Sequence, residues 1–231
     1  MNIIVNGGSK GIGREVVLRL AEEKHNQIIV TGRTKESLKN LVSECLNNNV
    51  TAVVLDLLRI DNDIDYIKKE ISARFDKVDI IINSAGFLVV KDFMKISNDD
   101  ARKMMETNFF GPATFVRMFV PLMPSGSHVI NISSMGGYQG SSKYRGLAYY
   151  SASKAALACL TECLATELSG SGISVNCLAL GSVQTEMFEA AFNGLKSPLS
   201  PSEMAGFIVY FAINGNKFFN GKILPVAISN P

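Results

Sequence analysis

The chain has 231 residues and is 47% hydrophobic, enough for one α/β domain with a full core and too apolar for a disordered chain. Lys plus Arg is 23 and Asp plus Glu is 21, a formal net charge of +2, so there is no basic surplus to recruit nucleic acid or an anionic membrane. No apolar run reaches the roughly 18 residues of a membrane span; the first apolar run lacks a basic leader. The two histidines stand apart from the thiols, so a cytoplasmic protein without a metal site is expected.

Met1-Asn2-Ile3-Ile4-Val5 reads as a strand that stops at Asn6-Gly7-Gly8-Ser9-Lys10-Gly11-Ile12-Gly13. Residues 14–21 then have a helical pattern. Strand, glycine-rich turn and helix is the geometry that holds a dinucleotide. Gly7 suits a tight exit from the strand, Gly11 a close approach of backbone to pyrophosphate, and Gly13 close packing of helix on sheet. Free N–H groups at the helix start would face the phosphates. A glycine-rich turn without a ligand is the alternative.

A second strand, 27–31, leads into Gly32-Arg33-Thr34-Lys35. A site for the unphosphorylated ribose would want a carboxylate here. The chain offers Arg33, with Lys10 able to reach the same side, which favours the 2′-phosphate of NADP(H). Ordinary solvated loop charges remain the other reading. A helix over 36–47 and a strand over 51–55 follow, then Asp56-Leu57, where a short polar side chain can meet an adenine amino group. Residues 63–75 read as a helix with an acidic start.

The fourth strand, 78–82, opens into Asn83-Ser84-Ala85-Gly86, small residues that leave room for a flat ligand. A long helix is expected over 97–123, interrupted at 108–112. Asn108 there is a polar residue in apolar surroundings that needs a partner; backbone packing and a functional role both fit. The fifth strand, 128–132, ends in Ser133-Ser134. After a glycine-rich loop, 135–147, Tyr150-Ser151-Ala152-Ser153-Lys154 starts an apolar helix to about residue 168. Cys159 and Cys163, four apart among Ala and Leu on that helix, read as buried thiols. So do Cys45 and Cys177. A sixth strand (173–178), a loop (179–185), a short amphipathic piece (186–192), a helix (204–212) after the capped start Ser200-Pro201-Ser202-Glu203, and a seventh strand (222–227) complete the chain. Strands alternate with helices without a linker. The fold expected is therefore α/β: one doubly wound Rossmann-type domain, 1–231, with a seven-stranded parallel sheet flanked by helices.

Little histidine leaves acid–base work to Tyr, Lys, Asp or Glu. Tyr150 and Lys154 share a helix face, one turn apart. A neighbouring ammonium favours phenolate and lowers a tyrosine pKa, so the pair can move a proton to or from a carbonyl or alcohol oxygen. Ser134 can hydrogen-bond that oxygen. Lys154 can hold ribose hydroxyls, and Asn108 can distort its helix and carry a relay water.

Over essentially its full length the chain resembles the short-chain dehydrogenase/reductase family. Its Thr-Gly-x3-Gly-x-Gly turn is matched from Asn6 to Gly13, with Asn6 for Thr. Its Asn-Asn-Ala-Gly is matched by Asn83-Ser84-Ala85-Gly86, its helix asparagine by Asn108, its serine by Ser134 and its Tyr-x-x-x-Lys by Tyr150 and Lys154. The resemblance implies a catalytic set of Asn108, Ser134, Tyr150 and Lys154. It also implies an NADP(H) site formed by Gly7, Ser9, Lys10, Gly11, Ile12, Gly13, Arg33, Asp56, Leu57, Asn83, Ala85, Gly86, Tyr150, Lys154, Gly181, Val183 and Thr185. The basic residues Lys10 and Arg33 fall where the family's NADP-using branch has them. The implied activity is reversible reduction of a ketone or aldehyde to an alcohol. The substrate is a small-molecule carbonyl or alcohol, with a 3-oxoacyl thioester or a small apolar ketone as options, and the assembly a homo-oligomer, dimer or tetramer. A non-catalytic NADP(H)-binding regulator of the same fold, or a Rossmann-like protein without cofactor, is the alternative.

There are also departures from the family. Ser134 and Tyr150 are farther apart than is usual, and the surplus falls in a loop with Ser141, Ser142, Lys143, Tyr144 and Arg145 that should border the substrate. Lys143 and Arg145 fit either an anionic substrate or solvated loop charges. Leu180-Gly181 stands for Pro-Gly, which would alter packing against the nicotinamide. Residues 185–202 make a short substrate lid. Phe87, Leu88, Val89, Phe188 and Phe192 suit an apolar pocket wall or plain packing. Val226-Ala227-Ile228-Ser229 replaces the family's Val-Asp-Gly-Gly, which puts the usual tetramer in question.

Overall fold

The apolar runs of the sequence become seven parallel strands in a computed structural model that describes residues 1–228. They are β1 (Asn2–Asn6), β2 (Gln27–Gly32), β3 (Val50–Val54), β4 (Ile80–Asn83), β5 (His128–Ser134), β6 (Ser174–Leu180) and β7 (Ile223–Val226). The strand order is β3-β2-β1-β4-β5-β6-β7. The order reverses between β1 and β4, the crevice where doubly wound sheets take ligands. The helices are α1 (Gly11–Ala21), α2 (Lys35–Glu44), α3 (Ile60–Ser72), α4 (Asn98–Met105), α5 (Gly111–Phe119), α6 (Ala148–Glu167), α7 (Glu186–Ala191) and α8 (Pro201–Asn214).

Burial on both faces explains why these strands are continuous apolar runs rather than alternating ones. Val17 and Leu20 of α1, Leu38 of α2 and Ile208 of α8 pack on Ile3, Val5, Ile28 and Ile82. Ile67 of α3 and Phe115 and Phe119 of α5 pack on Ile4, Ile29 and Ile81 on the opposite face. None of the helices among the described residues is long and apolar enough to cross a membrane.

Several element ends differ from expectation, each for a local reason. The helix expected to run to residue 47 ends at Glu44. Asn47 and Asn49 turn back instead and donate to the free carbonyls at the end of α1, Asn47 Nδ2 reaching Ala21 at 2.8 Å. The helix expected from residue 63 starts at Ile60, after a 3-10 turn capped by the Asp56 carboxylate, which accepts from the Leu58 N–H at 3.1 Å. The long helix expected over 97–123 is divided by a π-helical turn, Glu106–Phe110. The capping box at Ser200 and Glu203 is formed as the sequence suggests.

The expectation of a buried thiol pair on α6 is corrected. Cys159 and Cys163 are exposed, while Cys45 and Cys177 are buried. The inward face of α6 is taken by Ser153, Lys154, Leu157, Ala158, Thr161 and Ala165, which leaves 159 and 163 outside. Of the Val226-Ala227-Ile228-Ser229 end, Ser229 lies outside the described residues.

A polar row crosses the carboxyl end of the sheet. The Thr31 hydroxyl donates to Asn6 Oδ1 at 2.7 Å, Asn6 Nδ2 to Asn83 Oδ1 at 2.8 Å, Asn83 Nδ2 to Asn131 Oδ1 at 2.8 Å, and Asn131 Nδ2 to the Thr161 hydroxyl of α6 at 2.9 Å. All five residues are buried. Each amide satisfies its neighbour, so burial leaves no group of the row unpaired. The amide of Asn6 therefore does the hydrogen bonding that the threonine it replaces would have to do.

Candidate active site

The glycine turn is held by contacts that leave no room for side chains. Gly7 has φ +80°, and a Cβ on it would lie 2.4 Å from Ala85 Cα. A Cβ on Gly13 would lie 2.3 Å from the Gly7 carbonyl oxygen. Gly11 has φ +53°, a backbone that favours glycine. The turn thus brings β1, the start of α1 and the Ala85 segment together, and the first N–H groups of α1 open into a cavity of about 660 Å³.

That cavity runs along the carboxyl end of the sheet. Gly7, Ser9, Lys10, Gly11, Ile12 and Gly13 border one part of it, with Arg33, Asp56 and Leu57 beside them. Ala85, Gly86, Gly181, Val183 and Thr185 also line it, and Ser134, Tyr150 and Lys154 are on its wall. Lys10 and Arg33 are exposed, and neither side chain has a hydrogen-bond or ion-pair partner among the described residues. Two candidate residues do not border the cavity. Asn83 is used in the polar row, and Asn108 is fully buried.

Asn108 sits in the π-helical turn and clamps a neighbouring segment. The Phe87 N–H donates to its Oδ1 at 2.7 Å, and its Nδ2 donates to the Phe87 carbonyl and the Ser153 hydroxyl, each at 2.9 Å. Both amide hydrogens are spent on protein, so its side chain has no donor left for a relay water. What it fixes is the chain leaving Gly86, and through Ser153 the first turns of α6.

The two serines at the end of β5 have opposite surroundings. Ser133 is buried and its hydroxyl donates to the Lys154 carbonyl at 2.8 Å. Ser134 faces the cavity, where its hydroxyl accepts from the Gly136 N–H at 3.2 Å. Lys154 Nζ donates to the Ile132 carbonyl at 2.9 Å. Burial lowers this ammonium to about 8, partly opposed by the nearby Cys177 thiol. Burial raises the Tyr150 phenol above its ordinary value, while a hydrogen bond from the Ser134 side pulls it down. The net direction is upward, opposite to that expected from Lys154 alone, because burial outweighs the Ser134 hydrogen bond. Tyr150 is therefore a protonated acid at neutral pH.

The loop charges are occupied too. Arg145 donates twice to the Asp92 carboxylate, at 2.6 and 3.0 Å, and Lys143 donates to the Tyr138 carbonyl at 2.6 Å and the Ser141 hydroxyl at 2.8 Å. Arg145 ties the loop to Asp92, which neutralises its charge, whereas Lys143 is held within the loop by neutral acceptors and keeps its charge. The apolar wall is formed by Leu88, Phe188 and Phe192 as expected, but not by Phe87 or Val89. Tyr144, from the loop expected to border the substrate, is on the wall, and Met135, Leu147, Met187 and Leu195 join it without a sequence signal of their own. Of the five loop residues expected there, Tyr144 alone borders the cavity.

A family model described as short chain dehydrogenase matches residues 1–196. A 3-oxoacyl-[acyl-carrier-protein] reductase of Staphylococcus aureus is 29% identical over 237 residues, covering 96% of this chain and 95% of that protein. A dehydrogenase/reductase from Sinorhizobium meliloti has a solved structure that superposes with a TM-score of 0.86 at 29% identity, over 98% of this chain and 93% of the other. A structure of BdcA in complex with NADPH superposes with a TM-score of 0.84 at 25% identity, over 98% and 92%.

Proposed function

Because the chain belongs to the short chain dehydrogenase family and is an oxidoreductase, we propose that it reduces a ketone or aldehyde to the alcohol with NADPH. The observation that carries this is one cavity bordered both by the glycine turn and by Ser134, Tyr150 and Lys154.

The residues fit the cofactor. The backbone cradle at Gly7, Gly11 and Gly13 admits a pyrophosphate at the start of α1, and the unpartnered Lys10 and Arg33 suit a ribose 2′-phosphate. Asp56 and Leu57 would flank adenine, Ala85 and Gly86 the nicotinamide ribose, and Gly181, Val183 and Thr185 the nicotinamide. The bound nicotinamide supplies the hydride. A relative bound to NADPH and a relative named as a 3-oxoacyl-[acyl-carrier-protein] reductase support the reading.

In this reading Ser134 donates to the substrate carbonyl and polarises it. Tyr150 gives its proton to the oxygen as negative charge develops there. Lys154 stabilises the phenolate left behind and holds ribose hydroxyls. Asn108 acts as a positioning residue through Phe87 and Ser153. Residues 185–202 act as a short lid, with Met187, Phe188 and Phe192 over the substrate. The reverse oxidation uses the same groups. Substrates are a 3-oxoacyl thioester or a small apolar ketone. The exposed Phe207, Tyr210 and Phe218 favour a homo-oligomer.

The test is a carbonyl panel including a 3-oxoacyl thioester, read by NADPH absorbance with NADH alongside. Turnover that Tyr150→Phe abolishes supports the reading. NADPH binding without turnover of any carbonyl would support a regulator instead.

A further inference from the structure

We propose that Tyr144 sets the length of carbonyl substrate that the site accepts, and that the Asp92–Arg145 ion pair holds it there. The proposal rests on the reductase reading above.

Tyr144 lies in the surplus loop before the helix that carries Tyr150. It borders the inner cavity. It also borders a shallow outer hollow of about 430 Å³, which Phe93, Met94 and Arg145 help to line. No other residue is common to both. Tyr144 thus stands where the cavity and the outer hollow meet, and in this proposal its ring is the partition between them. That hollow offers an alkyl chain the exposed Phe93 (63%) and Met94 (88%), while its charges gather at one edge, where Asp92 pairs with Arg145 and, at 3.8 Å, with Lys95.

The partition is fastened on both sides. Arg145, next in sequence, makes its two-point contact with Asp92. The Lys91 N–H donates to the Gly146 carbonyl at 3.1 Å. Gly146 has φ +85°, and a Cβ there would crowd Val90 at 3.0 Å, so only glycine lets the loop lie this close. Tyr149 stacks on Phe93 with centroids 5.8 Å apart. Leu147, which donates to the Tyr144 carbonyl at 3.3 Å, is held on the cavity wall in turn. The surplus residues therefore do not form a free flap. They hold Tyr144 at the junction of cavity and hollow, with the Asp92–Arg145 pair as the side-chain tie next to it in sequence.

The experiment measures kcat/KM with NADPH for straight-chain 2-alkanones of increasing length. In the native enzyme kcat/KM should rise to a particular length and fall beyond it. Tyr144→Ala joins cavity and hollow, so kcat/KM should continue to rise beyond that length, by about fourfold per methylene seated. Tyr144→Trp should move the turnover point to shorter chains. Arg145→Met should act like Tyr144→Ala but less strongly, and Arg145→Lys should restore part of the native profile. An unchanged turnover point in Tyr144→Ala and Tyr144→Trp overturns the proposal. So does an Arg145→Met effect of the same factor at every length, which is what mere loosening of the fold would give. Turnover with an unchanged profile removes only this proposal, whereas no turnover of any carbonyl removes the reductase reading beneath it.

Discussion

The hydroxyl of Ser133 reaches the main-chain carbonyl of Lys154 at 2.8 Å, fastening the strand end that presents Ser134 to the helix that presents Tyr150. Adjacent serines should therefore fail differently. Ser134→Ala is expected to lower kcat by about 10²-fold with little change in melting temperature. Ser133→Ala should cost about 1 kcal/mol of stability. Steady-state kinetics beside thermal melts of the two variants checks this, and a kcat loss confined to Ser133→Ala would reverse the assignment.

The alkaline side of the pH profile should belong to Lys154. Its ammonium is lowered to about 8 by burial, while Tyr150 is raised and stays protonated there. For reduction, kcat/KM should be level below about 8 and fall as Lys154 loses its proton above it. Lys154→Arg keeps a charge at all accessible pH. Its residual activity should show no such fall, and a retained alkaline limb would place the titration elsewhere.

Arg33 is expected to set the cofactor preference. A lost charge-assisted contact to a 2′-phosphate is worth about 1.5–3 kcal/mol. Arg33→Ala should therefore raise the Kd for NADPH roughly 10- to 100-fold and leave that for NADH nearly unchanged. Titration by cofactor fluorescence decides it. Equal weakening of both cofactors would point to the backbone turn rather than the 2′-phosphate.

Acid sensitivity should come from the opposite end of the sheet. His128 is buried at the start of β5, its Nδ1–H donating to the Ala212 carbonyl at 3.0 Å and its Nε2 accepting from Asn176 at 2.9 Å. Burial lowers it from 6.5 to about 4. The unfolded chain thus takes the proton first as pH falls. Stability from this group is complete above about 6.5 and is lost down to about 4, by up to about 3 kcal/mol. Urea melts between these pH values should show the slope, and His128→Gln should flatten it even though it lowers stability overall. An undiminished slope in the variant would assign it to other groups.

The strands and the glycine turn were legible because a sheet covered on both faces needs long apolar runs and a phosphate cradle needs glycine. Asn108 and Asn83 were harder to read. A buried asparagine announces only that it needs partners, and those partners, Phe87 and Ser153 in one case and Asn6 and Asn131 in the other, are brought near by topology. Cys159 and Cys163 misled because α6 carries small residues on its outer side as well, so composition does not tell inside from outside. Tyr144 illustrates a third limit: spacing marked its loop as unusual, but which ring closes the cavity depends on contacts with Asp92 and Val90, residues more than fifty positions away.

The polar row has a consequence for how the sheet assembles. Ile3-Ile4-Val5, Ile28-Ile29-Val30, Ile80-Ile81-Ile82 and Val129-Ile130 are nearly interchangeable as apolar sequence. Oiliness alone would pair them almost as well one or two residues out of step. Thr31, Asn6, Asn83 and Asn131 occupy one rung of the paired strands. A slip of any strand would bury at least one amide against hydrocarbon. The row thus works as an alignment key, read once across four strands. When it closes, it brings the two ends of the cavity into step.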